Sequence, residues 1–135
     1  MDDRSPILVV DDDPDILDTV GEVIAAEGIP VVVAANGRSA LDLLAGGLRP
    51  SLVVLDLMMP VVSGWEVLAA IRADRALADV PVVVLSAAGG RAPAGATCFL
   101  RKPVELDTLL EVIRDPRART RRRERLPSAS GRIAV

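Results

Sequence analysis

The chemistry open to this 135-residue chain rests on Asp11, Asp12, Asp56, Ser86 and Lys102. Asp56 closes the apolar run Leu52-Val53-Val54-Leu55, and Asp11-Asp12 close the run Ile7-Leu8-Val9-Val10. Carboxylates gathered in a small space repel one another, and their pKa values rise unless a cation neutralises them. Hard oxygen ligands at an open, partly hydrated site suit Mg²⁺, which keeps several waters and pairs with phosphate. Ser86 supplies a hydroxyl donor. Lys102 is the only lysine among sixteen basic residues, a compact ammonium kept where arginine is used everywhere else. Such a set makes a metal and phosphoryl site. The chain has no histidine, which removes the usual zinc ligands and the commonest general base. The single cysteine, Cys98, excludes a disulfide framework and reads as a small buried hydrophobe. Asp11, Asp13 and Asp15 with Glu22 mimic a calcium loop, but Ile16 stands where that loop needs glycine.

These groups form one site only if the chain gathers them. Each apolar run is short, continuous and bounded by turn residues, the pattern of a strand buried on both faces. Val31-Val32-Val33-Ala34, Val82-Val83-Val84-Leu85 and Cys98-Phe99-Leu100 are further strands, the last two running into Ser86 and into Arg101-Lys102-Pro103. Helical stripes alternate with them. Asp13-Pro14 starts the first, with Ile16, Val20, Val23 and Ile24 on one face and Gly28 at its end. Asn36-Gly37 reads as a turn before the stripe Leu41, Leu44, Leu48, and Gly64 opens a third helix carrying Val67, Leu68 and Ile71. Leu106, Leu109, Leu110 and Ile113 form the last face, stopped by Asp115-Pro116.

Strands alternating with helices give an α/β, doubly wound, flavodoxin-like fold, a five-stranded parallel sheet of order 2-1-3-4-5. In that order the first and third strands are neighbours, so Asp11, Asp12 and Asp56 converge on one pocket at the strands' C-terminal ends. Between the fourth and fifth strands, Ala87 to Ala96 is glycine-rich and short for a crossover. The fourth helix is therefore expected to be shortened or absent.

The body is acidic, with 8 basic and 17 acidic side chains in residues 1 to 113, against 8 basic and 2 acidic beyond. Residues 1–114 read as one domain and 115–135 as a disordered, arginine-rich tail. No aromatic residue interleaves those arginines, so nucleic acid is not an expected partner. No signal-peptide pattern opens the chain and no apolar run reaches membrane-spanning length, so a cytoplasmic protein without membrane association is expected.

Asp11-Asp12, Asp56-Leu57-Met58-Met59-Pro60 with Ser63-Gly64, Ser86-Ala87 and Lys102-Pro103 follow successive strands, and in this order they resemble the receiver domain of two-component response regulators. The resemblance covers roughly residues 6 to 114 and implies a stand-alone signalling switch, not an enzyme. It makes Asp56 the phosphoacceptor, taking a phosphoryl group from the phosphohistidine of a sensor histidine kinase or histidine phosphotransfer protein. It assigns Mg²⁺ to Asp11, Asp12, Asp56 and the backbone carbonyl of Met58, and the phosphoryl oxygens to Ser86 and Lys102. It pairs Ser86 with Phe99 as the switch that alters binding of a downstream protein partner, and implies a cis peptide before Pro103. Met58 and Ala88 border the attacking water by the same resemblance, and neither can orient it, so dephosphorylation should be slow. Two alternatives stand beside this reading: a degenerate receiver that binds partners regardless of phosphate, and an aspartyl-nucleophile phosphatase.

Overall fold

The computed structural model describes residues 5–87, 90–117 and 133–135. The apolar runs become strands because each is covered from both sides: β1 (Ile7–Val10), β3 (Leu52–Asp56) and β4 (Val82–Ser86) are buried at every position. β2 (Val31–Ala34) and β5 (Cys98–Arg101), each less completely buried, form the two edges. All pairings are parallel and the order is β2-β1-β3-β4-β5, as the sequence predicts.

Among the described residues four helices cover the sheet: α1 (Pro14–Ala26), α2 (Gly37–Ala45), α3 (Gly64–Ala73) and α4 (Leu106–Arg114). Asp13 caps α1, its carboxylate accepting the Asp15 N–H at 2.9 Å, and Pro14 takes the first turn, where its missing N–H costs nothing. Asn36-Gly37 is not the expected turn. Asn36 caps α2 instead, accepting the Ser39 N–H at 2.8 Å, because the same short amide can close a turn or satisfy a helix's first donors.

Alternate residues of each strand face opposite layers. Ile7, Val9, Leu52 and Val54 pack with α1 and α4, whereas Leu8, Val10, Val53 and Leu55 pack with α2 and α3. Burying each such side chain contributes about 1.5–3 kcal/mol, so the three central strands anchor the fold.

Among the described residues no helix lies between β4 and β5. One side chain ties this crossover to the end of α3. Arg72, in the last turn of α3, donates from Nε to the Gly95 carbonyl at 2.9 Å and from Nη1 to the carbonyls of Val80 and Ala78 at 2.7 and 3.1 Å. Its Nη2 lies 3.4 Å from Thr97 Oγ1, which accepts the Val82 N–H at 3.0 Å. Val82 and Val84 stay fully buried, while Phe99 on the edge strand is half-buried.

α4 ends at Arg114, before Asp115-Pro116. The expected tail falls largely on residues 118–132, which lie outside the described residues. Within it, Ala134 forms an antiparallel bridge with Glu105. No helix among the described residues is long and apolar enough to cross a membrane.

Candidate functional site

The register of the central strands builds the site. Val10 pairs with Leu55, so Asp11 and Asp56 emerge side by side at the C-terminal ends of β1 and β3. Asp56 itself pairs with Leu85, which brings Ser86 to the next place on β4. Lys102 follows β5, and its N–H donates to the Ser86 carbonyl at 2.8 Å. The Lys102-Pro103 peptide is cis.

One carboxylate oxygen each from Asp11, Asp12 and Asp56 lies within 4.8 Å of the others. Asp11 and Asp56 are buried, and Asp12 is exposed. Lys102 Nζ stands between the two buried acids, 3.0 Å from Asp11 Oδ2 and 3.7 Å from Asp56 Oδ1. Two backbone donors fix the carboxylates: Asp13 N–H to Asp11 Oδ1 at 2.9 Å, and Met58 N–H to Asp56 Oδ1 at 3.2 Å.

Burial pushes the Asp56 carboxyl up from the usual 3.8 to about 6, and the Asp11 charge pushes the same way. Lys102 and the Met58 N–H oppose them without cancelling them. A negative charge here is therefore incompletely compensated by the protein alone. A small divalent cation fits the set: three hard oxygen donors, one of them open to water, and a residual negative charge.

The loop after Asp56 is held tightly. The Leu57 carbonyl accepts the Gly64 N–H at 3.0 Å, and a Cβ on Gly64 would collide with the Asp56 carbonyl oxygen and Leu57 Cα. Only glycine lets α3 start this close to the Asp56 and Leu57 backbone. Val61, in the same loop, has φ 66° and is 95% exposed.

A response regulator receiver domain profile matches residues 7–114. The chain belongs to the response regulator receiver domain family. Among curated relatives, it is 37% identical to the DNA-binding dual master transcriptional regulator RpaA of Synechocystis, over 92% of this chain and 52% of that protein. It is 40% identical to the response regulator MprA of Mycolicibacterium vanbaalenii, over 80% of this chain and 48% of that one. The chain thus spans about half the length of these relatives. Among solved structures it resembles the chemotaxis response regulator CheY4 of Vibrio cholerae, with TM-score 0.75 and 30% identity over 83% of this chain and 98% of that one. It also resembles TrrA of Thermotoga maritima in complex with Mg²⁺ and BeF, with TM-score 0.73 and 33% identity over 82% and 96% of the two chains.

The structure brings Asp11, Asp12, Asp56 and Lys102 together and sets Ser86, which is buried, beside them in the strand register. Phe99 lies within β5, on the side of the sheet that faces α2 and α3. Met58 presents its N–H to Asp56 and its side chain to solvent. Ala88 lies outside the described residues. The sequence reading missed Arg72, Val61 and Ile133–Val135. A basic residue in the last turn of a helix is the only prior signal for Arg72, and it points to the helix dipole instead of to Gly95.

Proposed function

We propose that this receiver accepts a phosphoryl group on Asp56 from a phosphohistidine of a sensor histidine kinase or histidine phosphotransfer protein. The observation that carries the reading is the buried Asp56 carboxylate, flanked by Asp11 and Asp12 and faced by the Lys102 ammonium. An Asp56 oxygen forms the bond to phosphorus as the bond from phosphorus to the donor imidazole breaks, and the departing imidazole takes up a proton. Lys102 shifts from Asp11 toward the arriving phosphoryl oxygens, and Ser86 donates to another of them. Asp11, Asp12, Asp56 and the Met58 carbonyl would hold Mg²⁺, which supplies charge neutralisation for the transferring group. Positioning and charge neutralisation are nearly all that such a transfer needs from the protein.

Residues 1–114 form the receiver unit in this reading, and the arginine-rich stretch beyond is an appendage. Ser86 and Phe99 couple the phosphoryl group to a surface that binds a downstream protein in the cytoplasm. Met58 turns its side chain to solvent and has no polar group to orient water, so the acyl phosphate is lost slowly. One observation favours a second reading, a phosphate-independent binding module: among the described residues, the surface that would report the switch has no helix between β4 and β5.

Calorimetric titration with beryllofluoride and Mg²⁺ separates the two readings. Binding that disappears in Asp56→Ala supports phosphoacceptance; a wild-type chain that binds no beryllofluoride contradicts it. Hydrolysis of a generic phosphate ester that survives Asp56→Asn and fails in Asp11→Asn would point to the phosphatase class.

A further inference from the structure

We infer that Ile133–Val135 is a positioning element for Lys102, clamping the segment that carries it; the inference rests on the phosphoacceptor reading above. The first N–H groups of a helix need partners from outside it. Glu105, at the N-cap of α4, makes no side-chain capping hydrogen bond. Ile133 supplies one such partner, and its neighbours pair with the chain just before the helix. The Leu106 N–H donates to the Ile133 carbonyl at 2.8 Å, and Val104 and Val135 exchange both backbone hydrogen bonds, at 2.5 and 2.7 Å. The Glu105–Ala134 bridge completes a short antiparallel pairing. Val135 also packs on the apolar cluster beneath α1 and α4, to which the buried Val104 and Leu106 belong.

This pairing lies two residues beyond Lys102. On its other side, Lys102 is tied to β4 through its N–H to the Ser86 carbonyl. The segment from Lys102 to Leu106 is thus fastened at both ends, one fastening being the sheet and the other residues 133–135. A lysine head on a flexible four-carbon stem is placed only as well as its backbone is placed. Its ammonium serves Asp11 at 3.0 Å and Asp56 at 3.7 Å, a span that tolerates little drift. Loss of the second fastening lets the entry to α4 open locally, and Lys102 spends less time facing Asp56. Coupling of this kind is reciprocal: if the clamp favours the arrangement that holds a phosphoryl group, a phosphoryl mimic must tighten the clamp.

Three variants of the 135-residue chain test it. Val135→Asp sets a carboxylate against the apolar cluster, Val135→Pro removes the N–H donated to Val104, and Val135→Ile keeps both features. Amide exchange at Val104 and Leu106, read without metal, should quicken in the first two variants and stay near wild type in the third. Phosphate adduct formation from acetyl phosphate with Mg²⁺ should slow by roughly tenfold in the first two, the order expected when a charged group is slightly misplaced. In wild type, beryllofluoride with Mg²⁺ should raise protection at Val104 and Leu106. That gain should exceed the gain at amides of the central strands, which any ligand of the folded state protects by mass action. Wild-type adduct rates in Val135→Asp and Val135→Pro, or protection unmoved by beryllofluoride, overturn this inference alone. Absence of any adduct on wild type overturns the phosphoacceptor reading and this inference with it.

Discussion

The mouth formed by β1, β3 and β5 and the crossover from β4 to β5 belong to one sheet, yet they are built differently. At the mouth, strand register sets the positions and short backbone contacts finish the job: Met58 to Asp56, Asp13 to Asp11, Lys102 to Ser86. At the crossover, a single arginine side chain ties the end of α3 to Gly95 and to the approach to β4. Strand register holds the chemistry in place, while at the edge Val82 and Val84 stay buried although no helix lies between β4 and β5 among the described residues. Phosphoacceptance should therefore survive changes at the crossover and fail with small changes at the mouth.

The largest expected effect is at Lys102. Lys102→Met removes the ammonium that faces both buried acids. Adduct formation on Asp56 should fall by about 10²-fold, the usual cost of losing one charge-stabilising donor, as followed by intact mass over time. A fall of less than threefold would mean that the mouth does not depend on this charge.

Gly64→Ala probes the same region through packing. The added Cβ meets backbone of Asp56 and Leu57 that cannot swing aside. A loss of about 3 kcal/mol or more is expected in urea unfolding, at the upper end of overpacking effects. A loss below 1 kcal/mol would show that the loop after Asp56 yields as easily as the crossover.

Asp56 also makes the mouth pH-sensitive. Its folded-state carboxyl titrates near about 6, above the ordinary 3.8. The folded state thus holds this proton more tightly than the unfolded chain does. The group's stabilising contribution is complete below about 3.8 and is lost as pH rises through about 6. Without Mg²⁺, Asp56→Asn should become more stable than wild type by about 2–3 kcal/mol at neutral pH, and by little near pH 4. Mg²⁺ should narrow the gap by stabilising the wild-type carboxylate. Parallel unfolding curves at the two pH values check it, and a gap that does not grow with pH would show that the pocket already compensates the charge.

The smallest effect tests the other side of the comparison. Arg72→Ala leaves the Gly95 and Val80 carbonyls without their charged donor. A cost of about 2 kcal/mol follows from a hydrogen-bonding charged group, with faster amide exchange at Gly95 to Thr97. Adduct formation on Asp56 should be unchanged. A matching loss of phosphoacceptance would erase the distinction between mouth and edge.

What could be read beforehand divides along the same line. Strands buried on both faces show as continuous apolar runs, and carboxylates at their ends show as interruptions, so the sheet order and the gathering of Asp11, Asp12 and Asp56 were legible. Asp13-Pro14 was legible because capping and proline placement are local. Asn36-Gly37 was misread because turn and cap use the same amide. Arg72 was hidden because its partners at Gly95 and Thr97 are far along the chain and leave no periodicity. Ile133–Val135 was hidden for a second reason: three residues are too few for a strand pattern, and their partners are backbone groups that any sequence carries. Val61 holds a left-handed backbone that a β-branched residue rarely adopts, which no residue-type rule anticipates.

The central claim is that Asp56 takes a covalent phosphoryl group. Wild-type protein and Asp56→Asn, each incubated with acetyl phosphate with and without Mg²⁺, should be compared by intact mass and peptide mapping. The account predicts one phosphate adduct, on the peptide containing Asp56, formed only with Mg²⁺ and only in wild type. An adduct that persists in Asp56→Asn, or a wild-type chain that stays unmodified, would contradict it.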